Sequence, residues 1–142
     1  MTEPKVIRRR MADENHAVLT VSGGRKTYRR EPCQECPWRT DAPIGAFPAE
    51  AYRISANTAE DLGTHTFACH MSGSDKPSIC AGFLLRGADH NMAARMAIMR
   101  GDVSPAQITS DVPLYDSYRD MAEANGVAQD DQALTRCRGG RD

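Results

Sequence analysis

Four cysteines constrain this chain more than any other feature: Cys33 and Cys36 in a Cys-Gln-Glu-Cys run, then Cys69 and Cys80. Two cysteines with two residues between them can aim both sulfurs at one centre, with backbone N–H groups turned inward to meet them. That knuckle is a common half-site of structural zinc modules. Thirty-two residues separate Cys36 from the second half, and ten residues separate Cys69 from Cys80. Together they supply four thiolates, enough for a closed tetrahedral zinc or for an iron–sulfur cluster. Zinc is the expected ion, because a small domain gains folding free energy directly from it and the spacing departs from the familiar iron–sulfur runs. His70 adjoins Cys69, and neighbours on a strand point to opposite faces, so it replaces a cysteine as ligand only where the backbone bends. Otherwise His70 is expected around the ligands, with Trp38 and Arg39, rather than among them. His65 and His90 are expected beside the ligands or on the surface rather than among the ligands. Cys137 stands in an Arg/Gly-rich run and is expected to be a free thiol whose replacement by serine changes little.

A crosslink of this kind suits the composition. The chain has 142 residues, one domain's worth, and aromatics make up only 6%, so the core must be modest. A domain short of large core residues often gains stability from a covalent or metal link. No apolar run approaches the ~18 residues of a membrane span, and no apolar stretch follows the basic N-terminus as a secretory signal requires. The expectation is a cytoplasmic protein with no membrane contact, where disulfides rarely persist and paired cysteines bind metal or carry out redox work.

The pattern along the chain predicts a small α+β domain, mainly helical, with a short N-terminal hairpin, organised around the metal site. Residues 1–14 read as a flexible tail, 15–126 as the single metal-binding domain and 127–142 as a second tail. His16 to Val21 reads as a strand, Ser22-Gly23-Gly24 as a turn and Arg25 to Arg30 as the return strand, with Tyr28 facing inward. Pro48 opens a helix reaching about Leu62, and Gly63 ends it. Thr64 to Ala68 is β-leaning and delivers Cys69. Met71 to Pro77 reads as a loop, and Ala81 to Leu85 as a helical turn. Asp89 is the expected N-cap of a helix carrying Met92, Met96 and Met99 as one apolar stripe, read as core. A capped turn at Ser104 to Gln107 and a helix from Leu114 to Ala124 complete the fold.

Other function classes find little support. There is no HExxH, no GxSxG elbow and no Walker loop, and the carboxylates form no obvious acid/base pair. A CxxC can exchange disulfides, but the thioredoxin-type motif sits where a strand enters a helix, whereas Pro37 follows this one within a loop. Thiol redox chemistry therefore stands as the alternative, beside an iron–sulfur protein. Net charge is −1 overall, yet residues 1–40 carry nine Lys/Arg against five acids, a local +4 that leaves −5 for the remainder. Arg8-Arg9-Arg10 and Arg25 to Arg30 could meet phosphates, but a solvated arm is the expected reading. Asn91 and Arg95 are likewise read as a solvated helix face.

Three motifs in order carry a resemblance: Cys33-Gln-Glu-Cys36-Pro37-Trp38-Arg39 with Asp41 and Gly45-Ala-Phe47-Pro48; Phe67-Ala-Cys69-His70-Met71; and Cys80-Ala81-Gly82-Phe83. Over roughly residues 31–101 the chain resembles an uncharacterised family of short proteins from bacteriophages, prophages and bacteria, marked by C-x-x-C-P-x-R, a later C-H and a C-A-G followed by an aromatic. The resemblance implies a phage or mobile-element origin and four cysteines acting together, and it supplies no activity. Trp38 and Phe47 are expected to pack over the site, Arg39 to meet a thiolate or Asp41, and Ala81-Gly82 to leave room beside the Cys80 sulfur. The sequence reading is thus a zinc-bound, non-enzymatic binding or regulatory module whose partner, protein or nucleic acid, and oligomeric state are not legible.

Overall fold

The computed structural model describes residues 5–11, 17–22, 27–69 and 78–137. His70, Gly23-Gly24, Arg25 and Lys26, the stretch from Met71 to Pro77 read as a loop, and residues 138–142 lie outside them.

The N-terminal hairpin differs from the expected one. Strand β1, Lys5–Met11, pairs antiparallel with β2, Ala17–Ser22, with a register irregularity between Val6 and Arg8. The second strand was expected near its place, but its partner is the segment read as a tail. Arg8-Arg9-Arg10 looks like a solvated arm by charge, yet arginine does not prevent ladder hydrogen bonding, since the backbone supplies them. Of the expected return strand the described part is residues 27–30, where Tyr28 bridges to Ile79 and does not pair with β2.

Helix α1, Ala49–Ser55, follows Pro48 as its N-cap, and the turn tightens into a 3-10 segment at Ala56–Ala59 before ending. Leu62 adopts a left-handed backbone, with φ of 61°, just before Gly63. Helix α2 is Ala81–Arg86, α3 is Met92–Met99 and α4 is Tyr118–Ala124. Short 3-10 turns at Pro105–Gln107 and Gln132–Leu134 flank α4 in sequence.

The cap of α3 is Asn91, not Asp89. Its side chain accepts from Ala94 N at 2.8 Å and donates to the carbonyls of Thr58 at 2.9 Å and His65 at 2.7 Å. It is buried, so the solvated-face reading fails at this residue: Asn91 ties α3 to the end of the α1 segment and to the strand leading to Cys69. Arg95 is exposed as expected.

The methionine stripe faces the other way. Ala94 and Ala97 are wholly buried, whereas Met92, Met96 and Met99 are exposed, Met99 to 84%. Helical spacing reveals that a stripe exists but not which side meets the core, and here the small alanines permit the closer approach.

The largest buried side chains are Trp38, Tyr118, Phe83, Met121 and Leu134. Trp38 meets Tyr118 edge-on with ring centroids 5.8 Å apart and Phe67 at 6.0 Å, while Phe67 stacks on Phe83 at 6.2 Å. Edge-to-face and offset pairs of this kind add about 0.5–1.5 kcal/mol each beyond their area. Four aromatics grouped in this way build a core out of a chain that has few. The Tyr118 hydroxyl is satisfied in the interior, donating to Tyr52 O at 2.5 Å and lying 2.6 Å from Ser55 Oγ.

Residues 127–137, expected to be tail, are folded. Leu134 is fully buried and Cys137 nearly so. Arg119 holds this stretch by donating to the carbonyls of Gln129, Leu134 and Cys137, and Arg53 pairs with Asp131 at 2.9 Å. One leucine in a polar stretch carries no periodic signal, so the packing is not visible by pattern. Cys137 is not an exposed thiol: its Sγ lies 3.4 Å from Ala56 O, and burial pushes its pKa up to about 11.

Candidate metal centre

The first half-site is a run of tight turns. Cys36 N donates to Cys33 O at 3.1 Å and Arg39 N to Cys36 O at 3.2 Å. The Cys33 sulfur accepts from Glu35 N–H and the Cys36 sulfur from Trp38 N–H, both of which favour the thiolate. These are the inward N–H groups that the two-residue spacing predicts. Pro37 falls between them, at a position where no donor is required. The knuckle is fixed from behind, since Tyr115 N donates to Trp38 O at 3.0 Å and Thr40 N to Pro113 O at 3.0 Å.

The second half-site is built on extended backbone. Ala68 bridges antiparallel to Ile79, with Cys69 N donating to Ser78 O at 2.6 Å and Cys80 N to Phe67 O at 2.8 Å. Ile79 also bonds on its other side, its N–H to Thr27 O at 2.8 Å and its carbonyl to Arg29 N at 2.9 Å. Residues 27–29, 67–69 and 78–80 therefore lie side by side. Alternation along these segments puts Phe67, Cys69 and Cys80 on one face. Cys80 is then the N-cap of α2.

All four cysteines meet. Cys36 Sγ and Cys80 Sγ are 3.6 Å apart, and Cys33 is in hydrogen-bonding contact with both Cys36 and Cys69. The sulfurs thus form a chain, Cys69–Cys33–Cys36–Cys80, and all are free thiols, since a disulfide would bring two of them to about 2.0 Å. Three of the four are buried, and Cys33 is half-buried. Among the described residues no group of three or more His, Cys, Asp or Glu side chains is arranged to hold a metal ion outright. For one pair the separation is that of a shared ion: Zn–S bonds of 2.3 Å in a tetrahedron place sulfurs about 3.8 Å apart, and Cys36 Sγ and Cys80 Sγ are 3.6 Å apart.

The electrostatics are those of thiols pressed together. Contact with Cys36 is the largest influence on Cys33 and raises its pKa, and burial adds to the rise. For Cys36 the bond from Cys33 pulls downward, but contact with Cys80, burial and the charge of Cys80 outweigh it and push the pKa up to about 12. Arg39 lies close enough for its charge to act on both sulfurs. Its Nε and Nη2 grip Asp41 at 2.7 and 2.9 Å, so the expected pairing with Asp41 is present.

Trp38, fully buried, shares the core with Cys36 and Cys80, and Phe47, half-buried, packs against the same core. The role of Gly82 differs from the one expected. A Cβ there would stand 2.6 Å from Trp38 Cβ, 2.9 Å from Trp38 Cγ and 3.2 Å from Cys36 Sγ, so the glycine makes room for the first half-site and not for Cys80. Gly87, at the other end of α2, is closed by the far edge of the same indole: a Cβ there would stand 2.5 Å from Trp38 Cη2. The sequence reading missed Gly87; its only signal is the spacing of two glycines along one short helix. Of the histidines, His65 is partly buried and His90 exposed.

A family model of unknown function, DUF6283, matches residues 28–138. The chain belongs to the DUF6283 family. The match takes in all four site cysteines and extends past Cys137, in keeping with the folded C-terminal segment, while the N-terminal hairpin lies outside it. No curated protein matches this DUF6283 chain, and no solved structure does. No helix among the described residues is long and apolar enough to cross a membrane.

Proposed function

We propose that Cys33, Cys36, Cys69 and Cys80 bind one zinc ion, and that the protein is a non-enzymatic, zinc-stabilised binding module. The observation that carries this reading is the contact of four cysteines from two separate parts of the chain, with Cys36 Sγ and Cys80 Sγ 3.6 Å apart. Glu35 N–H and Trp38 N–H supply the hydrogen bonds that soften thiolate charge, and Trp38 keeps water away. When bound, zinc would provide a structural link and no reaction. A four-iron cluster fits less well, because it holds each thiolate on a different iron and so spreads the sulfurs apart. Thiol exchange also fits less well, because it needs an accessible thiolate, while Cys36 is fully buried with its pKa pushed up to about 12. The partner is a protein or nucleic acid.

Single serine variants at the four positions test the ligand set. Each of Cys33→Ser, Cys36→Ser, Cys69→Ser and Cys80→Ser is expected to abolish stoichiometric zinc binding and to lose the cooperative unfolding transition. Cys137→Ser is expected to keep its zinc. Full zinc content in two or more of the four variants would defeat the assignment.

A further inference from the structure

Arg39 and Asp41 form a device that the zinc reading gives a use. The backbone of Arg39 is fixed on both sides, by its own N–H to Cys36 O at 3.2 Å and by a bridge to Leu114. Its side chain is then closed down over the cysteine loop. Asp41 takes Nε and Nη2 in a two-point grip, and Nη1 reaches back to Gln34 O, inside the Cys33–Cys36 loop, at 3.4 Å. Planar two-point pairing of this kind fixes direction as well as distance, which a lysine could not reproduce. The Arg39 side chain is partly covered, while its guanidinium stays in contact with solvent, so its charge is open to screening by salt.

Zinc with four thiolates carries a net charge of −2 in a poorly solvated place, and an ion so placed needs nearby positive charge. We propose that Arg39, held in position by Asp41, is the counter-charge of the four-cysteine site and sets how firmly the metal is retained. This rests on the zinc reading above. Asp41 is a positioning residue: it touches no ligand, and its carboxylate fixes the plane of the guanidinium that faces the loop.

The test compares the zinc-loaded full chain with Arg39→Gln, Arg39→Lys and Asp41→Asn, using Arg53→Gln as a remote control. Release of zinc to an excess of a chromophoric chelator is followed at low and high salt. Far-UV circular dichroism reports the fold of each loaded variant. Cobalt-loaded samples report the ligand set through their tetrahedral absorption bands.

Arg39→Gln is expected to release zinc roughly tenfold faster at low salt, which is about 1.4 kcal/mol in a barrier, and the gap should narrow at high salt. Arg39→Lys should recover part of the loss, Asp41→Asn should fall between Gln and wild type, and Arg53→Gln should match wild type. Cobalt spectra should be the same throughout, since no ligand changes. Release by Arg39→Gln within twofold of wild type, or a gap independent of salt, would overturn the role of Arg39 while leaving the zinc site standing. If Arg39→Gln fails to fold, Asp41→Asn, which keeps the Arg39 charge but removes the carboxylate that holds it, decides: release at the wild-type rate would overturn the clamp. A wild-type chain that takes up no zinc would overturn the metal reading itself, and this one with it.

Discussion

Replacing Gly82 by alanine separates local preference from packing, because the two give opposite signs. Gly82 lies inside α2, and alanine is the better helix former by up to about 1 kcal/mol, so propensity alone predicts stabilisation. The added methyl carbon, however, would stand 2.6 Å from Trp38 Cβ and 2.9 Å from Cγ. Those atoms are the root of a rigid side chain with no exposed surface, not the end of a flexible one, so the backbone of α2 or of the knuckle must move. Forcing a methyl into a filled interior costs about 1–3 kcal/mol, and this site belongs at the upper end. The net expectation is a loss of about 2 kcal/mol, with weaker metal retention because the methyl also reaches 3.2 Å from Cys36 Sγ. Gly101→Ala serves as the comparison: its φ of 83° strains any side chain, but nothing lies within 4 Å, so its cost should be backbone strain alone, about 1 kcal/mol. Urea unfolding at fixed excess zinc measures both, since ligand linkage is then held constant. A Gly82→Ala protein as stable as wild type, or more so, would refute the packing argument.

The other expectations concern the remaining framework. Leu134→Ala should cost about 2–4 kcal/mol in the same assay, because its side chain is wholly buried; a change under about 0.5 kcal/mol would return residues 127–137 to the status of a tail. Asn91→Ala should cost about 2–3 kcal/mol, since it removes the cap of α3 and leaves the buried Thr58 and His65 carbonyls without their donor. Met99→Gln should stay within about 0.5 kcal/mol of wild type, as an 84% exposed side chain predicts, whereas a core methionine would show several times that.

The features that the sequence revealed are those whose signal is local. Two residues between Cys33 and Cys36 predict a turn with inward N–H groups, and Glu35 and Trp38 provide them. The span of α3 follows from periodicity and Gly101, although its polarity relative to the core does not: Ala94 and Ala97 are too small to draw attention as core residues beside three methionines. Asn91 and Asp89 are equally good caps by type, and only the positions of Thr58 and His65 decide between them. The hairpin partner is a question of long-range pairing, and the Arg8-Arg9-Arg10 charge run obscured it. Gly82 and Gly87 become informative only once Trp38 is known to lie across α2, a contact between segments more than 40 residues apart.

The central claim is the ion. Metal content per chain, measured by mass spectrometry on protein purified without oxygen, tests it most directly. One zinc per chain is the predicted result. Several irons accompanied by sulfide would contradict it in favour of a cluster, and a folded chain with no metal would leave the four clustered thiols without the role assigned to them.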